Sequence, residues 1–188
     1  EDAYYQAAKA IYNYILSMNG KVEYQGWSYD KALELVQNAI KLTGQPIHIQ
    51  LEGDILFAQG KYAEALAAYE KVNKSPLASV ESFYSASKTK QMMEGADMNE
   101  ALALMDSAIV RLRKPYFAEA APYFYERAEL RANAKKYREA VMDYNTFYEA
   151  VSGEVTALFY FQREQAEMQC RMYQQALNDI NKAVEMNP

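Results

Sequence analysis

The sequence predicts an all-α protein in which helical hairpins stack one after another as an α-solenoid. A five-residue pattern recurs at Tyr29–Leu33, Tyr62–Leu66, Met98–Leu102, Tyr137–Val141 and Tyr173–Leu177. Its copies begin 33 to 39 residues apart, a spacing typical of repeated helix pairs. Apolar residues with a period of about 3.6 follow every copy, which indicates an amphipathic helix each time.

Each copy of the pattern is predicted to begin the second helix of a pair. An alanine near its start allows the two helix backbones to approach closely. The first helices are predicted upstream, at 3–18, 46–58, 80–94, 122–134 and 157–170. Gly60 favours the left-handed conformation that ends a helix, whereas the last two hairpin turns lack glycine. Residues 19–28 are predicted to be a long loop, and 115–122 an extended connection.

These elements predict one continuous repeat domain over residues 1–188, with units at about 1–45, 46–79, 80–120, 121–156 and 157–188. The last helix is expected to present Leu177 and Val184 with no following helix to cover them. We therefore expect the chain to be a segment of a longer protein, or another subunit to cover that face.

The amino-acid composition bears on whether the chain folds and on which classes of partner it can bind. With 51% hydrophobic and 24% charged residues, the chain is predicted to fold. A net charge of -5 argues against nucleic acid and anionic membranes as partners, because both require a basic face. No apolar run approaches the roughly 20 residues of a membrane span. The single cysteine, Cys170, leaves the redox compartment open.

Residues at fixed places in these units resemble the tetratricopeptide repeat family. The matching residues are Gly53, Ala65, Tyr69 and Pro76 in the second unit, Ala128, Ala140 and Tyr144 in the fourth, and Tyr160, Ala176, Ala183 and Pro188 in the fifth. The resemblance covers the whole chain and is weaker in the first and third units. It implies a right-handed superhelix of ten helices whose first helices line a concave groove, which usually holds a peptide or another protein segment.

The resemblance also implies which first-helix residues face this groove. They are Gln50, Asp54, Lys90, Tyr125, Glu129, Phe161 and Gln165. Some members of the family hold the C-terminal carboxylate of a chaperone with a clamp of lysine and asparagine. The first clamp lysine is replaced in this chain by Gln50, Ala86, Tyr125 or Phe161, which argues against chaperone docking. Tyr125 and Phe161 could stack on an apolar anchor or a sugar ring, or pack on neighbouring hairpins.

Three other groups of residues are interpreted as structural. They are the loop aromatics Tyr24, Trp27 and Tyr29, the basic run Arg111, Arg113 and Lys114, and the alternating charges Glu126, Arg127, Glu129, Arg131, Lys135, Lys136, Arg138 and Glu139. The aromatics are a second candidate for ligand binding, but we favour a role in which they cover the open end of the first hairpin. The basic run suits a helix C-terminus, and the alternating charges suit a salt-bridged helix face.

Nothing in the sequence predicts an active site, a cofactor or a metal. The single histidine, His48, lies far from Cys170 in the sequence, and no glycine-rich phosphate loop is present. No carboxylate stands in an apolar run that would raise its pKa. We therefore predict that this segment is not an enzyme.

The predicted function is a non-catalytic scaffold with a peptide or protein partner in the concave groove. One alternative is self-association through the C-terminal end. Another is a targeting or ligand-binding role in a larger bacterial envelope protein, with any enzyme domain outside this sequence. The acidic, tyrosine-rich composition and the missing initiator Met are similar to those of repeat proteins of bacterial cell envelopes. This favours the periplasm or cell envelope, with the cytoplasm as the alternative.

Overall fold

The structure is a computed structural model that describes residues 2–21, 24, 26–95 and 97–187. All regular secondary structure in these ranges is helical. The α-helices are α1 (Asp2–Ser17), α2 (Tyr29–Leu42), α3 (Pro46–Ala58), α4 (Tyr62–Asn73), α5 (Val80–Met92), α6 (Met98–Ile109), α7 (Ala121–Asn133), α8 (Tyr137–Ala150), α9 (Ala157–Gln169) and α10 (Tyr173–Met186). The chain divides into two compact units, Glu1–Asp97 and Met98–Pro188.

The helix bounds confirm the predicted hairpin pattern. All five second helices begin at the first residue of the recurring pattern, and α3 has the predicted bounds. The other first helices differ from the prediction by one or two residues at their ends. The predicted extended connection at 115–122 is wrong in part, because Ala118–Ala120 form a 3-10 helix that leads directly into α7. The Lys114–Pro115 peptide bond in this connection is cis.

The first unit contains helices α1 to α5, and each helix packs on the next one in sequence. Its core includes Ile15, Val36 and Ile55, which are fully buried. The small residue predicted in α3 is Gly53, whose backbone lies against the ring of Tyr69 in α4. A Cβ atom at Gly53 would stand 2.5 Å from Tyr69 Cε1. Glycine is therefore required for the close approach of α3 and α4.

The second unit contains helices α6 to α10, again with sequential neighbours in contact. Aromatic rings dominate its core, which includes Tyr144, Phe159 and Tyr160. The rings of Phe147 and Phe159 are 5.2 Å apart, and those of Tyr144 and Phe159 are 5.8 Å apart. Offset and edge-to-face ring contacts of this kind stabilise a core beyond the area that they bury.

Three hairpin turns share one backbone geometry although one has glycine and two do not. Gly60, Lys135 and Arg171 each adopt a positive φ, of 74°, 59° and 62°. The next residue then donates its N–H to a carbonyl five residues earlier, at 2.8–2.9 Å. This is the hydrogen bond of a Schellman motif, which ends a helix. The two turns that lack glycine therefore form the same helix end, at a cost of about 1 kcal/mol each.

The aromatic residues of the first loop pack onto α1. Trp27 lies edge-on to the ring of Tyr14 at 5.1 Å, and Tyr24 contacts both rings at 5.3 Å. Trp27 is half-buried against the core of the first unit. Packing is thus seen for Trp27, whereas Tyr24 remains 61% exposed, among the described loop residues 19–21, 24 and 26–28.

Candidate functional site

A partly buried carboxylate on α3, that of Asp54, contacts polar residues of α3 and α4 in the first unit. Asp54 Oδ1 accepts a hydrogen bond from the Tyr69 hydroxyl of α4 at 2.8 Å and from Gln50 Nε2 at 3.0 Å. Gln50 Nε2 also donates to Ser85 Oγ of α5 at 3.3 Å. We call Gln50, Asp54, Tyr69 and Ser85 the Asp54 cluster. It connects three consecutive helices through side-chain hydrogen bonds.

The Asp54 cluster forms one wall of a cavity of about 250 Å³. The lining residues are Tyr12, Asp54, Phe57, Tyr69, Tyr84, Ser85 and Lys88. Aromatic rings, hydroxyls, a carboxylate and an ammonium group therefore surround one small space. Such a mixture suits a site that fixes the orientation of a ligand with a few polar groups.

Burial controls the protonation of this cluster. It raises the pKa of the Asp54 carboxyl, and the hydrogen bonds from Tyr69 and Gln50 oppose that rise. Burial and the charge of Asp54 raise the pKa of Tyr12 to about 12 and the pKa of Tyr69 further still. Both hydroxyls are therefore protonated at neutral pH and can act as hydrogen-bond donors.

The second unit has a matching cluster around Glu129 of α7. Glu129 Oε1 accepts from the Tyr144 hydroxyl of α8, and Glu129 Oε2 accepts from Gln162 Nε2 of α9 at 3.2 Å. The Tyr125 hydroxyl donates to Gln162 Oε1. We call Tyr125, Glu129, Tyr144 and Gln162 the Glu129 cluster. In both clusters the tyrosine on the second helix follows the carboxylate by 15 residues.

A larger cavity, of about 690 Å³, lies beside the Glu129 cluster. Its lining is Glu129, Ala132, Asn133, Tyr137, Tyr144, Gln162, Glu164, Gln165, Ala166, Met168 and Gln169. Four of these side chains carry amide groups, each of which can both donate and accept hydrogen bonds. Among the lining residues only Glu129 and Glu164 are charged, and both are acidic. The cavity can therefore pair with neutral polar groups such as a peptide backbone.

The structure brings some of the predicted groove residues together. Gln50 and Asp54 are hydrogen-bonded to each other, and Glu129 and Gln165 line the same cavity. Tyr125 connects to Glu129 through Gln162. Phe161, with 44% of its surface exposed, lies on α9, and Lys90 is half-buried on α5. Neither of these two lines a cavity described above.

Tyr125 is half-buried, and its ring lies against two rings of α8. Its ring centroid lies 5.1 Å from that of Phe147 and 6.0 Å from that of Tyr144. Burial raises the pKa of its hydroxyl, with a further contribution from the charge of Glu129. The ring of Tyr125 therefore packs on α8 of its own hairpin, and its hydroxyl reaches Gln162 of the next hairpin.

Several residues of the two clusters and of the cavities beside them were missed by the sequence analysis. They are Tyr12, Ser85 and Lys88 in the first unit and Asn133, Gln162 and Gln169 in the second. One signal was available: an acidic residue in the first helix followed 15 residues later by tyrosine in the second. The third partner lies in the next hairpin and has a different residue type in each unit.

Two expectations about charged residues were wrong. Asp54 and Glu167 have raised pKa values although neither stands in an apolar run, because helices distant in sequence bury them. Arg127 and Arg131 bind aspartates of other helices, and Glu129, which lies between them, accepts from Tyr144 and Gln162. The two arginines bind the buried Asp143 of α8 with N–O distances of 2.6–2.8 Å, and both also reach Asp106 of α6. These are ion pairs between helices, not along a helix face.

His48 has a structural position. It is buried, and its ring centroid lies 5.1 Å from that of Tyr5 in α1. Among the residues that the structure describes, no three His, Cys, Asp or Glu side chains are grouped so that they could hold a metal ion. In the same part of the chain, none of the helices has the length and apolar content that crossing a membrane would require.

Stacked helical hairpins with matching polar clusters define an all-α repeat protein, and comparisons with solved structures identify the fold. MamA from Desulfovibrio magneticus RS-1 is 13% identical with a TM-score of 0.71, over 97% of this chain and 94% of that one. YrrB, described as a TPR protein with an unusual peptide-binding site, is 17% identical with a TM-score of 0.70, over 94% and 83%. TTC0263, a TPR protein of Thermus thermophilus, is 16% identical with a TM-score of 0.60, over 98% and 92%.

The chain therefore has the tetratricopeptide repeat fold, as its sequence predicted. No protein-family model matches the sequence, and no curated protein matches it either. At these levels of identity the likeness establishes the fold alone.

Proposed function

We propose that this chain is a non-catalytic interaction scaffold that binds an extended peptide or protein segment in the concave groove of the tetratricopeptide fold. The observation that carries the proposal is the amide-lined cavity beside the Glu129 cluster. It brings Asn133, Gln165 and Gln169 to one surface of the second unit. Amide side chains can pair with backbone N–H and C=O groups of an extended segment whatever its sequence.

The polar clusters supply a rigid base for such binding. Glu129 is held by Tyr144 and Gln162, so its carboxylate does not have to be ordered when a ligand arrives. Preorganised groups lose less conformational entropy on binding. The fold shared with YrrB, a protein described as having a peptide-binding site, supports the same class of partner.

A peptide selection followed by calorimetry tests this proposal. Peptides are selected on the wild-type protein from a phage-displayed random library. The Kd of a selected peptide is then measured for wild type and for the double variant Asn133→Ala, Gln165→Ala. Both side chains are exposed and line the cavity. We expect the variant to bind about tenfold more weakly, because each lost hydrogen bond contributes about 0.5–1.5 kcal/mol.

The matched control is the double variant Gln175→Ala, Asn181→Ala. It removes the same two residue types from exposed positions of α10, and we expect it to bind like wild type. If no peptide is selected, or if both variants bind equally, the groove proposal is wrong.

Self-association is the competing candidate, which we favour less because the net charge of -5 causes repulsion between copies. Tyr173, Leu177 and Val184 recur at helical spacing on α10, and more than half of each side chain is exposed. A second copy of the chain could cover such a surface.

A further inference from the structure

The first unit contains a second cavity, of about 570 Å³, that the polar clusters do not explain. Its lining is mainly apolar and consists of Gln45, Pro46, Ile47, Gln50, Val72, Leu77, Ser79 and Glu81. These residues come from the start of α3, the end of α4, the connection that follows it and the start of α5. Leu77 is 73% exposed and Ile47 is 52% exposed, so apolar surface is open to solvent. We call this space the Gln50 cavity.

The second unit has a smaller cavity at the corresponding place, and aromatic rings line it. Gln50 and Tyr125 are both the fifth residue of their helices, and Val72 and Phe147 are both the eleventh. The N-cap residues Ser79 and Thr156 also correspond.

The two units also differ at the third residue of the helix that follows each hairpin, which is α5 in the first unit and α9 in the second. This residue is Ser82 in the first unit and Phe159 in the second. The second unit retains only about 290 Å³ at this place. Where the second unit has three aromatic rings, the first unit therefore has glutamine, valine and serine, and the difference in side-chain size is open space.

Gln50 also carries an unused hydrogen-bonding group. Its Nε2 donates to Asp54 and Ser85, which fixes the orientation of the amide, because a carboxylate requires a donor. Among the described residues its Oε1 has no hydrogen-bond partner, although it is buried. A buried acceptor without a donor is costly, and a ligand that carries an N–H group can remove that cost.

The charge of the lining comes from one residue, Glu81 in the first turn of α5. An occupant with a positive group beside its apolar part is therefore favoured over an anionic one. The volume is sufficient, since an apolar cavity of about 150 Å³ accepts benzene in another protein.

We propose that the Gln50 cavity binds the indole ring of a tryptophan side chain next to a positive charge, in the place that aromatic side chains of the chain itself occupy in the second unit. The ring packs against Ile47, Val72 and Leu77. Its N–H pairs with Gln50 Oε1 once a small movement of this side chain opens the buried oxygen to the cavity. This inference extends the proposed function. It rests on that function only for the source of the tryptophan side chain, which is a basic peptide segment. A free indole amine tests the cavity without any peptide, so the two proposals can fail separately.

The probe is tryptamine, whose binding to the whole chain is followed by saturation-transfer NMR and by titration of protein chemical shifts. We expect saturable binding with a Kd on the order of 1 mM, as is usual for a ligand of this size. Tryptamine methylated at the indole nitrogen should bind about three- to tenfold more weakly, because it has no donor for Gln50. Indole-3-acetate should bind about two- to fivefold more weakly, because its charge has the wrong sign.

Val72→Phe tests the location by introducing the ring that the second unit has at this position. We expect it to abolish saturable binding while circular dichroism and thermal unfolding remain those of a folded protein. Val184→Phe is the matched control, since it adds the same ring at an exposed position of α10, and it should bind tryptamine like wild type. If Val72→Phe does not fold, Leu77→Ser replaces it. Leu77 is exposed, and its loss should weaken binding about threefold or more.

Three results would overturn the proposal. They are the absence of saturable binding to wild type, unchanged binding to a folded Val72→Phe or Leu77→Ser variant, and equal affinity for tryptamine and its N-methyl derivative. If selected peptides bind at the amide-lined cavity and tryptamine does not bind, only this inference fails. If tryptamine binds and no peptide is selected, only the groove proposal fails.

Discussion

Two buried aspartates show how one side chain changes the chemistry of a repeated position. Asp143 and Asp179 are both the seventh residue of their helices, and each accepts two hydrogen bonds from an arginine of the preceding helix. Asp143 also binds Arg131, but the corresponding residue beside Asp179 is Glu167. A carboxyl group therefore stands in the fifth repeat where the fourth has a guanidinium. Burial, together with the charge of Asp179, raises the pKa of Glu167 to about 7.

The first prediction concerns the pH dependence of stability that Glu167 contributes. Its pKa is higher in the folded protein than in the unfolded chain, so the folded state binds more protons between about pH 4.5 and pH 7. This contribution to stability is fully present below that window, falls as pH rises through it, and is lost above about pH 7. The loss is as much as about 3 kcal/mol.

Glu167→Gln removes the titration and keeps the shape of the side chain. We expect the variant to lose less of its free energy of unfolding than wild type between about pH 5 and pH 8. Urea unfolding followed by circular dichroism at both pH values measures this difference. Parallel pH profiles for the two proteins would contradict the prediction.

At the scale of the helices, the close approach of α3 and α4 depends on Gly53, which has no side chain. Gly53 lies against the ring of Tyr69, and the same tyrosine hydroxyl donates to Asp54. Any side chain at position 53 must displace the ring, and with it a hydrogen bond of the Asp54 cluster.

The second prediction is that Gly53→Ala destabilises the protein, although alanine favours helices. Alanine in a helix interior gains about 1 kcal/mol over glycine, whereas overpacking a filled site costs about 1–3 kcal/mol. We expect a net loss of about 1 kcal/mol in the free energy of unfolding, measured with urea. Ala67→Gly, at an exposed position of α4, measures the propensity contribution alone. A Gly53→Ala variant more stable than wild type would show that the ring moves without cost.

The helices were predictable from the sequence because their signals are local. An alanine after each recurring tyrosine or methionine, apolar residues at helical spacing and Gly60 all act within a few residues of the helix end that they define. The start of every second helix was therefore predicted correctly. The 3-10 helix at Ala118–Ala120 has no comparable signal and was missed.

The candidate site was less predictable, for a physical reason. The carboxylates Asp54 and Glu129 were selected from their helix positions, but their hydrogen-bond partners Ser85 and Gln162 lie in the following hairpin. Their burial, and hence their protonation, also depends on how the hairpins pack. The Gln50 cavity is even harder to predict from the sequence, because it results from non-aromatic side chains at positions where the second unit has aromatic rings.

At the scale of the whole molecule, net charge and exposed apolar surface oppose each other. The chain carries a net charge of -5, which causes repulsion between copies. The exposed apolar residues Tyr173, Leu177 and Val184 of α10 favour association. A stable interface buries about 1,000 Å² or more, which is more than three partly exposed side chains supply.

The third prediction is therefore that the chain is a monomer. Light scattering after size exclusion should give the mass of one chain at every concentration, for wild type and for Leu177→Glu alike. A mass that rises with concentration in wild type and stays constant in Leu177→Glu would establish self-association instead.

The packing of Trp27 against Tyr14 and Tyr24 makes the first hairpin separately observable by fluorescence. Trp27 is the only tryptophan of the chain, so emission excited at the red edge of the absorption band comes from this one indole. Circular dichroism, by contrast, follows the helices of both units. A difference between the two signals during unfolding would mean that the N-terminal hairpin and the rest of the chain do not unfold together.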